Sequence, residues 1–248
     1  MKRRIGKLAL AGLCVALLAG CGGGDKPFRM ITEGAFPPYE FLRGMEIVGV
    51  DVEIGRAIAK RLGRKFSVDS NDFDSVLPSV INGRAEIAAA GITVTEARKE
   101  RVDFSIPYMT AGIVVVSKKS NPFRDVSQLK GKRISVQAGT TSDDYVRNEL
   151  GQEATGFGTA AEAVAGLKAG TFDFVLADVG VAKHCAKGNP DLEVSDLLTS
   201  EDYAVAIAKG QPELLKAINE TIAALKADGT IVKWLEDYTV EADEQEED

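Results

Sequence analysis

The chain has 248 residues, of which 45% are hydrophobic and 27% are charged, which suffices for one large domain or two domains of ordinary size. Its formal net charge is -7 and its pI is about 5.0. Such an acidic chain lacks the basic surface that nucleic acids require, so we expect no nucleic-acid partner.

The N-terminal residues have the pattern of an export signal. Lysines and arginines at positions 2–7 precede an apolar run over 8–18, which is too short to span a bilayer as a mature helix. The run ends in Leu18-Ala19-Gly20-Cys21, which resembles the bacterial lipobox. We therefore predict a lipoprotein signal peptide over 1–20, lipidation of Cys21 and a flexible tether over 21–27. The alternative is an ordinary signal peptide with an incidental cysteine.

Cysteine and histidine are too few for a disulfide or a zinc site in the mature chain. Cys14 would leave with the signal and Cys21 is assigned to lipid, so Cys185 stands alone beside the single histidine, His184. We therefore predict no intramolecular disulfide, no metal and no cofactor. Cys185 is interpreted as a packed helix residue.

A short strand over 28–31 begins the folded part and leads into a loop made rigid by consecutive prolines. Glu33 and Phe36 therefore project from a fixed turn at a strand end, where binding residues are often found. Apolar periodicity predicts helices over about 50–62 and 72–82. Phe73 lies in the first turn of the second helix, where its ring faces either the core, which is the default for an aromatic at helical spacing, or a cleft.

The segment 88–101 combines a strand end with a helix start. It is small and apolar as far as Gly91, and then turns polar. Gly91 lets a ligand approach the main chain, Thr93 and Thr95 can cap or donate, and the planar fork of Arg98 can grip a carboxylate with two hydrogen bonds. These features predict an anion site. The alternative is an ordinary capped helix with a solvated arginine.

The second half repeats this architecture after a polar, turn-rich stretch over 118–132. Asp178 stands between a predicted strand and a predicted helix, where the simplest interpretation is an N-cap. The tail over 241–248 is acidic and is expected to be disordered. The remaining predictions are strands over 112–117, 133–136, 172–177 and 203–208, helices over 142–150, 160–168, 179–187 and 212–227, and a short last helix that contains Trp234.

Several ordered motifs resemble those of the bacterial extracellular solute-binding proteins of family 3, which serve ABC importers of polar amino acids. The resemblance covers about 28–238 and is carried by Thr32-Glu33-Gly34-Ala35-Phe36-Pro37-Pro38-Tyr39, Val48-Gly49-Val50-Asp51-Val52, Gly91-Ile92-Thr93-Val94-Thr95-Glu96-Ala97-Arg98, Leu129-Lys130-Gly131-Lys132, Gln137-Ala138-Gly139-Thr140-Thr141 and Ala227-Asp228-Gly229-Thr230. It implies an α/β, two-lobed periplasmic-binding-protein fold of type II, with a helix-flanked sheet in each lobe and two hinge crossovers. The first lobe would comprise 28–110 and 205–240, and the second 111–204.

The resemblance also implies a ligand site in the cleft between the lobes. Arg98 would clamp the α-carboxylate with help from the main chain and hydroxyl at Gly91 and Thr93, Thr141 would contribute from the second lobe, and Asp178 would receive the α-ammonium. An arginine fork suits a carboxylate and an aspartate suits an ammonium, so the chemistry agrees. The implied ligand-binding set is Glu33, Phe36, Phe73, Ala90, Gly91, Thr93, Arg98, Gln137, Thr140, Thr141 and Asp178, with no catalytic residue.

The side-chain end of the ligand depends on four of these residues. The aromatic rings of Phe36 and Phe73 would flank it, with Glu33 and Gln137 at its distal end, which suits a guanidinium or ammonium group. We therefore expect arginine or lysine, with glutamine as the close competitor. The implied protein is an extracytoplasmic, lipid-anchored monomer that delivers the amino acid to the transmembrane subunits of an ABC permease.

Other functional classes lead to different expectations. An enzyme resembling the cyclohexadienyl dehydratases would need an acid in the cleft without a cationic partner, and Glu33 is the candidate. Against this, Arg98 and Asp178 look like a complete amino-acid clamp by the same resemblance, and a fold alone does not fix a function. A sensor or transglycosylase module would need a C-terminal membrane span or a further catalytic domain, and the chain reaches Asp248 with neither.

Overall fold

The structure is a computed structural model that describes residues 26–244. The predicted signal peptide over 1–20, the predicted lipidation of Cys21 and the tether as far as residue 25 lie outside the described residues. Within 26–244, no helix combines the length and the apolar character needed to cross a membrane.

The first section of the chain alternates short strands with helices. Its elements are β1 (Phe28–Thr32), β2 (Ala35–Phe36), β3 (Glu40–Arg43), β4 (Glu46–Val48), α1 (Val50–Arg61), β5 (Phe66–Ser70), α2 (Phe73–Ile81), β6 (Ile87–Ala88), α3 (Glu96–Lys99) and β7 (Val102–Phe104).

The middle section begins with a short strand that leaves the first section and continues through a second set of strands and helices. Its elements are β8 (Met109–Ala111), β9 (Ile113–Lys118), β10 (Ile134–Gln137), α4 (Thr141–Asp144), β11 (Thr155–Phe157), α5 (Ala160–Lys168), β12 (Phe174–Asp178), α6 (Val179–Lys187) and β13 (Leu192–Val194). A 3₁₀ turn over Val126–Leu129 precedes β10, and a π-helical turn over Tyr145–Glu149 follows α4.

The last section returns to the first. Its elements are β14 (Glu201–Tyr203), β15 (Ala206–Ala208), α7 (Pro212–Ala227) and α8 (Thr230–Glu244). The predicted strand over 203–208 is thus two strands, because the chain changes its pairing partner. β14 pairs with β8, whereas β15 joins β6 and β7.

Two mixed sheets form the cores of two lobes. The first has the strand order β5-β1-β6-β15-β7 and the second the order β11-β10-β12-β9-β13. In each sheet, one strand pairs in parallel with two neighbours, β1 with β5 and β6 and β10 with β11 and β12. The parallel pairs need crossover helices, which cover the sheets and explain why β9 is almost entirely buried. The predicted α/β two-lobed fold is confirmed.

Two chain crossings connect the lobes. The chain leaves the first sheet after β7 and returns to it at β15, and the crossing strands β8 and β14 pair antiparallel with Met109 opposite Tyr203. A pair of short strands is a connection about which two rigid lobes can rotate. The limits of the lobes at 110 and 204 stay a prediction.

The last helix is longer than predicted. α8 continues to Glu244, whereas the sequence predicted a short helix and an irregular tail from 241. No glycine or proline stops the helix after Gly229, and its residues are compatible with helix. Tyr238 and Ala242 also give it an apolar contact, because they pack against Phe41 and Val48 of the β3–β4 hairpin.

Candidate ligand-binding site

A small cavity lies between the lobes. Its volume is about 30 Å³, whereas one buried water needs roughly 10–15 Å³ by the same measure. The lobes are therefore closed over it, and an amino acid needs them to part before it can enter. Its lining includes most of the predicted ligand-binding residues, namely Phe36, Phe73, Gly91, Thr93, Arg98, Gln137, Thr140, Thr141 and Asp178.

Two of the predicted residues do not line the cavity. Ala90 is buried in an apolar cluster of the first lobe with Val76 and Ile92. Glu33 lies behind the lining, where its Oε1 accepts a hydrogen bond of 2.5 Å from Nε2 of Gln137. Gln137, which belongs to the other lobe, lines the cavity. Glu33 is therefore connected to the cavity by its hydrogen bond with Gln137.

Gly91 allows the main chain to turn beneath the cavity. Its φ is +54°, and a Cβ at this position would lie 2.6 Å from a ring carbon of Phe36. Both features require glycine. The Gly91 N–H donates to Oδ2 of Asp51 at 2.8 Å, so a fully buried carboxylate holds the turn from below.

Asp51 shares its buried pocket with the carboxyl group of Glu40. Burial raises the pKa of Asp51 to about 6, opposed by the hydrogen bond from Gly91. Burial, reinforced by the neighbouring Asp51 charge, raises the pKa of Glu40 further above its ordinary value. Glu40 therefore keeps its proton while Asp51 accepts the Gly91 N–H. The motif analysis did not identify this pair, because neither residue touches the cleft.

The Arg98 guanidinium lines the cavity and donates only some of its N–H groups to the protein. α3 is capped by Thr95, whose hydroxyl accepts the Arg98 N–H at 3.2 Å, as predicted. Nη1 donates to the Thr93 carbonyl at 2.9 Å and Nη2 to the Gly139 carbonyl of the other lobe at 3.2 Å. Among the described residues no carboxylate forms an ion pair with Arg98, and burial lowers its pKa. The remaining N–H groups suit an incoming carboxylate.

The Phe73 ring lies beside this arginine. The Arg98 Cζ is 5.6 Å from the ring centroid, which is a cation–π distance. Phe73 is only partly buried, packs against the apolar cluster of the first lobe and also lines the cavity. It therefore serves both the core and the cleft.

Asp178 combines the two roles considered for it. Its Oδ1 accepts the Gly180 N–H at 2.7 Å, so the predicted N-cap of α6 is confirmed. Its Oδ2 accepts the Tyr203 hydroxyl. Burial raises the pKa of Asp178, while these hydrogen bonds oppose the shift. A carboxylate has further lone pairs, so it can still accept from an ammonium group in the cavity.

Glu33 and Gln137 connect the lobes at one side of the site. Besides the bond to Glu33, the Gln137 amide donates to the Gly158 carbonyl at 3.1 Å. Within residues 26–244, Oε2 of Glu33 is buried and has no hydrogen-bond partner. Burial raises the pKa of Glu33 to about 7. Leaving a buried carboxylate oxygen without a hydrogen bond costs free energy. Oε2 of Glu33 therefore favours a ligand that brings a cationic hydrogen-bond donor to it.

The crossing strand β14 contributes residues that the sequence analysis missed. Glu201 and Tyr203 both line the cavity, and the Glu201 carboxylate accepts the hydroxyl groups of Thr93 and Thr141. The local sequence has no motif for them, since they are simply the start of a strand. Only the pairing of β14 with β8 brings them to the cleft.

The threonines of the second lobe differ in their surroundings. The Thr140 hydroxyl donates to the Gln137 carbonyl at 2.8 Å and also caps α4. The Thr141 hydroxyl instead reaches across to Glu201 at 2.7 Å. Among the described residues, no group of three or more His, Cys, Asp or Glu side chains is placed to hold a metal ion.

A family model for bacterial extracellular solute-binding proteins, family 3, matches residues 28–241. The chain belongs to this family. The match includes both sheets, both crossings and all the residues that line the cavity.

Relatives of this family member bind different amino acids. ABC transporter arginine-binding protein 1 of Escherichia coli is 30% identical, over 92% of this chain and 96% of its own. A glutamine-binding protein, GlnH of Bacillus subtilis, is 32% identical over 79% of this chain and 76% of its own. The crystal structure of the substrate-binding protein AbpA of Streptococcus pneumoniae bound to L-arginine has 32% identity and a TM-score of 0.83, covering 87% of this chain and 95% of its own. Since identity is similar for arginine and glutamine binders, the site residues have to decide the ligand.

Proposed function

We propose that this protein captures a basic L-amino acid, with arginine as the first choice, and delivers it to the permease of an ABC importer. The observation that carries the proposal is the pairing of opposite charges in one closed cavity. Arg98 offers N–H groups that pair with no carboxylate of the described residues, and Asp178 offers a carboxylate held by its helix and by Tyr203. These are the partners that an amino-acid backbone needs.

The preference for a basic side chain rests on Glu33. Its buried Oε2 has no hydrogen-bond partner among the residues that the structure describes, and the amide of Gln137 occupies only the other oxygen. A guanidinium reaching this corner would give Oε2 a charge-assisted hydrogen bond and would be flanked by aromatic rings. Glutamine is the competitor, because Gln137 can also pair with a neutral amide. Arginine-binding relatives support the first choice.

A binding panel tests the proposal. Thermal shift and isothermal titration of the purified protein against L-arginine, L-lysine, L-glutamine and other common amino acids should give a ligand that raises the melting temperature by mass action. Arg98→Ala should weaken binding by about 2–5 kcal/mol, because it removes a desolvated charge partner. Arg101→Ala, which removes an exposed arginine of the same segment, is the matched control and should bind normally. Binding by Arg98→Ala within threefold of the wild type contradicts the clamp.

A second variant tests the side-chain preference. Glu33→Gln keeps the shape of the side chain and removes its charge, so affinity for arginine and lysine should fall while glutamine binding changes little or improves. If Glu33 only stabilises its own loop, all ligands should weaken equally. An unchanged ratio of arginine to glutamine affinity removes the reason for preferring a basic ligand.

The anchored location rests on the lipobox at Leu18-Ala19-Gly20-Cys21. In the proposed function, Cys21 carries lipid and residues after it tether the binding domain outside the cytoplasm as a monomer. Cys21→Ser should therefore keep the mass of the uncleaved chain and lose incorporation of labelled palmitate. Normal labelling of this variant contradicts the anchor while leaving the proposed ligand untouched.

The enzyme alternative gains support from the raised pKa of Glu33, about 7, since a general acid works best near the ambient pH. The binding proposal places the ligand's guanidinium against this same carboxyl, so its pKa does not separate the two functions. Mass spectrometry of the ligand recovered after incubation separates the two: a binding protein returns it unchanged.

A further inference from the structure

A single carboxylate on the crossing strand β14 touches both lobes. Oε2 of Glu201 accepts the Thr93 hydroxyl of the first lobe at 2.7 Å. The same oxygen accepts the Thr141 hydroxyl of the second lobe, also at 2.7 Å. Both distances are those of charge-assisted hydrogen bonds to a carboxylate.

The other oxygen of this carboxylate is also held. Oε1 of Glu201 accepts the Thr199 hydroxyl at 3.1 Å, and Thr199 in turn accepts the backbone N–H of Ile113 at 3.1 Å. The Glu201 carboxylate is therefore fixed by three hydroxyl donors, one of which, Thr199, is itself held by a backbone N–H. It is partly buried and lines the same cavity as Arg98 and Asp178.

The direction of these hydrogen bonds determines what the threonines can offer to a ligand. A hydroxyl has one proton and two acceptor lone pairs. Thr93 and Thr141 each donate their hydroxyl hydrogen bond to Glu201. Toward the cavity that they line, both hydroxyl oxygens can therefore only accept hydrogen bonds. Acceptors suit the N–H groups of an ammonium and cannot donate to a carboxylate.

We propose that Glu201 is a positioning residue of the ligand site: it accepts a hydrogen bond from the hydroxyl of one threonine in each lobe and so presents both hydroxyl oxygens as acceptors for the ligand's α-ammonium. This inference rests on the proposed function as an amino-acid-binding protein. It also reverses the part that the resemblance gave to the Thr93 hydroxyl, since the ligand carboxylate is left to Arg98 and to backbone N–H groups.

The charges around the cavity agree with this division. Glu201 acts electrostatically on the Arg98 guanidinium, so a ligand carboxylate belongs on the arginine side and away from Glu201. Asp178 and the two hydroxyls then form a purely accepting wall. Because the hydroxyls come from different lobes, this wall is complete only when the cleft is closed.

The test compares L-arginine with 5-guanidinopentanoate, which is arginine without its α-ammonium. Glu201→Gln keeps the shape but lets the side chain donate, so the threonine hydroxyls can turn their protons toward the cavity. Titration calorimetry should show arginine affinity falling at least about tenfold, equal to about 1.4 kcal/mol. Affinity for 5-guanidinopentanoate should stay within about twofold. Both ligands are measured on wild type and variant at one pH and salt concentration.

Glu193→Gln is the matched control. Glu193 also accepts from a serine hydroxyl and an arginine but does not line the cavity, so both affinities should be unchanged. Thr141→Val and Thr141→Ser provide a second route if Glu201→Gln folds poorly. The valine variant should lose arginine affinity selectively, and serine, which retains the hydroxyl, should restore it.

Three outcomes overturn the inference. Parallel loss of both ligands in Glu201→Gln means that Glu201 only stabilises the closed form, and unchanged affinity for both means that the hydroxyl direction is irrelevant. Either result, with arginine bound normally by the wild type, leaves the proposed function standing. A wild-type protein that does not bind L-arginine overturns the proposed ligand and this inference together.

Discussion

At the scale of single residues, the charged groups around the cavity differ in how firmly they are held. Asp178 and Glu201 each accept two or more hydrogen bonds. Within the described part of the chain, Glu33 accepts one hydrogen bond and has a buried oxygen without a partner. The protonation of Glu33 is therefore the one that a cationic ligand changes most.

This difference predicts pH-dependent arginine binding. Burial raises the pKa of Glu33 to about 7, so the carboxyl is mostly protonated at pH 6 and mostly ionised at pH 8. A guanidinium favours the ionised form, and binding should therefore release a proton. Arginine affinity should rise about tenfold from pH 6 to pH 8 and level off above, as measured by titration calorimetry in buffers of different ionisation enthalpy.

The raised pKa of Glu33 has the opposite effect on the stability of the unliganded protein, which decreases rather than increases with pH. Between pH 4.5 and about 7 the folded protein holds a proton on Glu33 that the unfolded chain has released, so this group's contribution to stability decreases as pH rises through that window. Glu33→Gln should remove both trends. Glutamine binding, which needs no charge at Glu33, serves as the internal comparison. A flat pH response of arginine affinity in the wild type would argue that Glu33 does not meet the ligand.

At the scale of elements, α1 approaches the first sheet closely at one glycine. A Cβ on Gly55 would lie 2.6 Å from Sδ of Met30 and 2.9 Å from a ring carbon of Phe66. Met30 belongs to β1, whose end carries Glu33, and is fully buried. The position of the helix on the sheet therefore depends on the absence of a side chain at Gly55.

Enlarging this residue should destabilise the first lobe. Gly55→Val forces Met30 and Phe66 to move, and overpacking of this kind costs about 1–3 kcal/mol. Ala57→Val, in the same helix but only partly buried, is the control: it loses a few tenths of a kcal/mol of helix propensity, whereas replacing glycine by valine raises helix propensity. Urea denaturation followed by circular dichroism should nevertheless show the larger fall in midpoint for Gly55→Val. Equal midpoints for the two variants would show that Met30 and Phe66 can move to accommodate the valine without loss of stability.

At the scale of the whole molecule, closure depends on contacts that cross between the lobes. They include Gln137 with Glu33, Arg98 with the Gly139 carbonyl and Thr93 with Glu201. Since each pair also surrounds the cavity, a ligand that joins these groups stabilises the closed arrangement. Binding therefore shifts the equilibrium between open and closed lobes.

A disulfide between the lobes should trap the closed form. A Cβ on Gly139 would lie 3.3 Å from Cβ of Asp74, close to the range of about 3.5–4.5 Å found in disulfides. Gly139 has a φ of +72°, so a cysteine there strains the backbone, and arginine binding by the reduced double variant is checked first. In Asp74→Cys/Gly139→Cys, arginine should then accelerate cross-linking, because the bound protein spends more time closed. Intact-mass measurement under mild oxidation follows the reaction, and ligand exchange should be slow once the bond has formed.

The single variant Asp74→Cys accounts for reactions with the other cysteines and should show no ligand-dependent cross-link within the chain. Equal rates with and without arginine in the double variant would mean that the ligand does not change the closure equilibrium. Reduction of the disulfide should restore rapid exchange, which separates trapping from damage to the site.

Local patterns in the sequence predicted most of the fold. Apolar periodicity and glycine stops located α1, α5, α6 and α7, and the polar switch after Gly91 located the cap of α3 at Thr95. They failed where the outcome depended on a distant partner. The strand over 203–208 divides because β14 and β15 join different sheets, and α8 extends to Glu244 because the β3–β4 hairpin supplies an apolar contact.

The sequence by itself determined the class of the protein, because its ordered motifs resemble those of a known family. The same resemblance, together with local capping and charge type, supplied the candidate residues of the clamp. Only the tertiary structure decided how those residues are connected. It places Gln137 between Glu33 and the cavity. It also brings Glu201 to the cleft, where the Thr93 hydroxyl donates a hydrogen bond to its carboxylate. The physical reason is that a hydrogen bond between lobes joins residues about a hundred positions apart, and no local pattern encodes which proton goes to which acceptor.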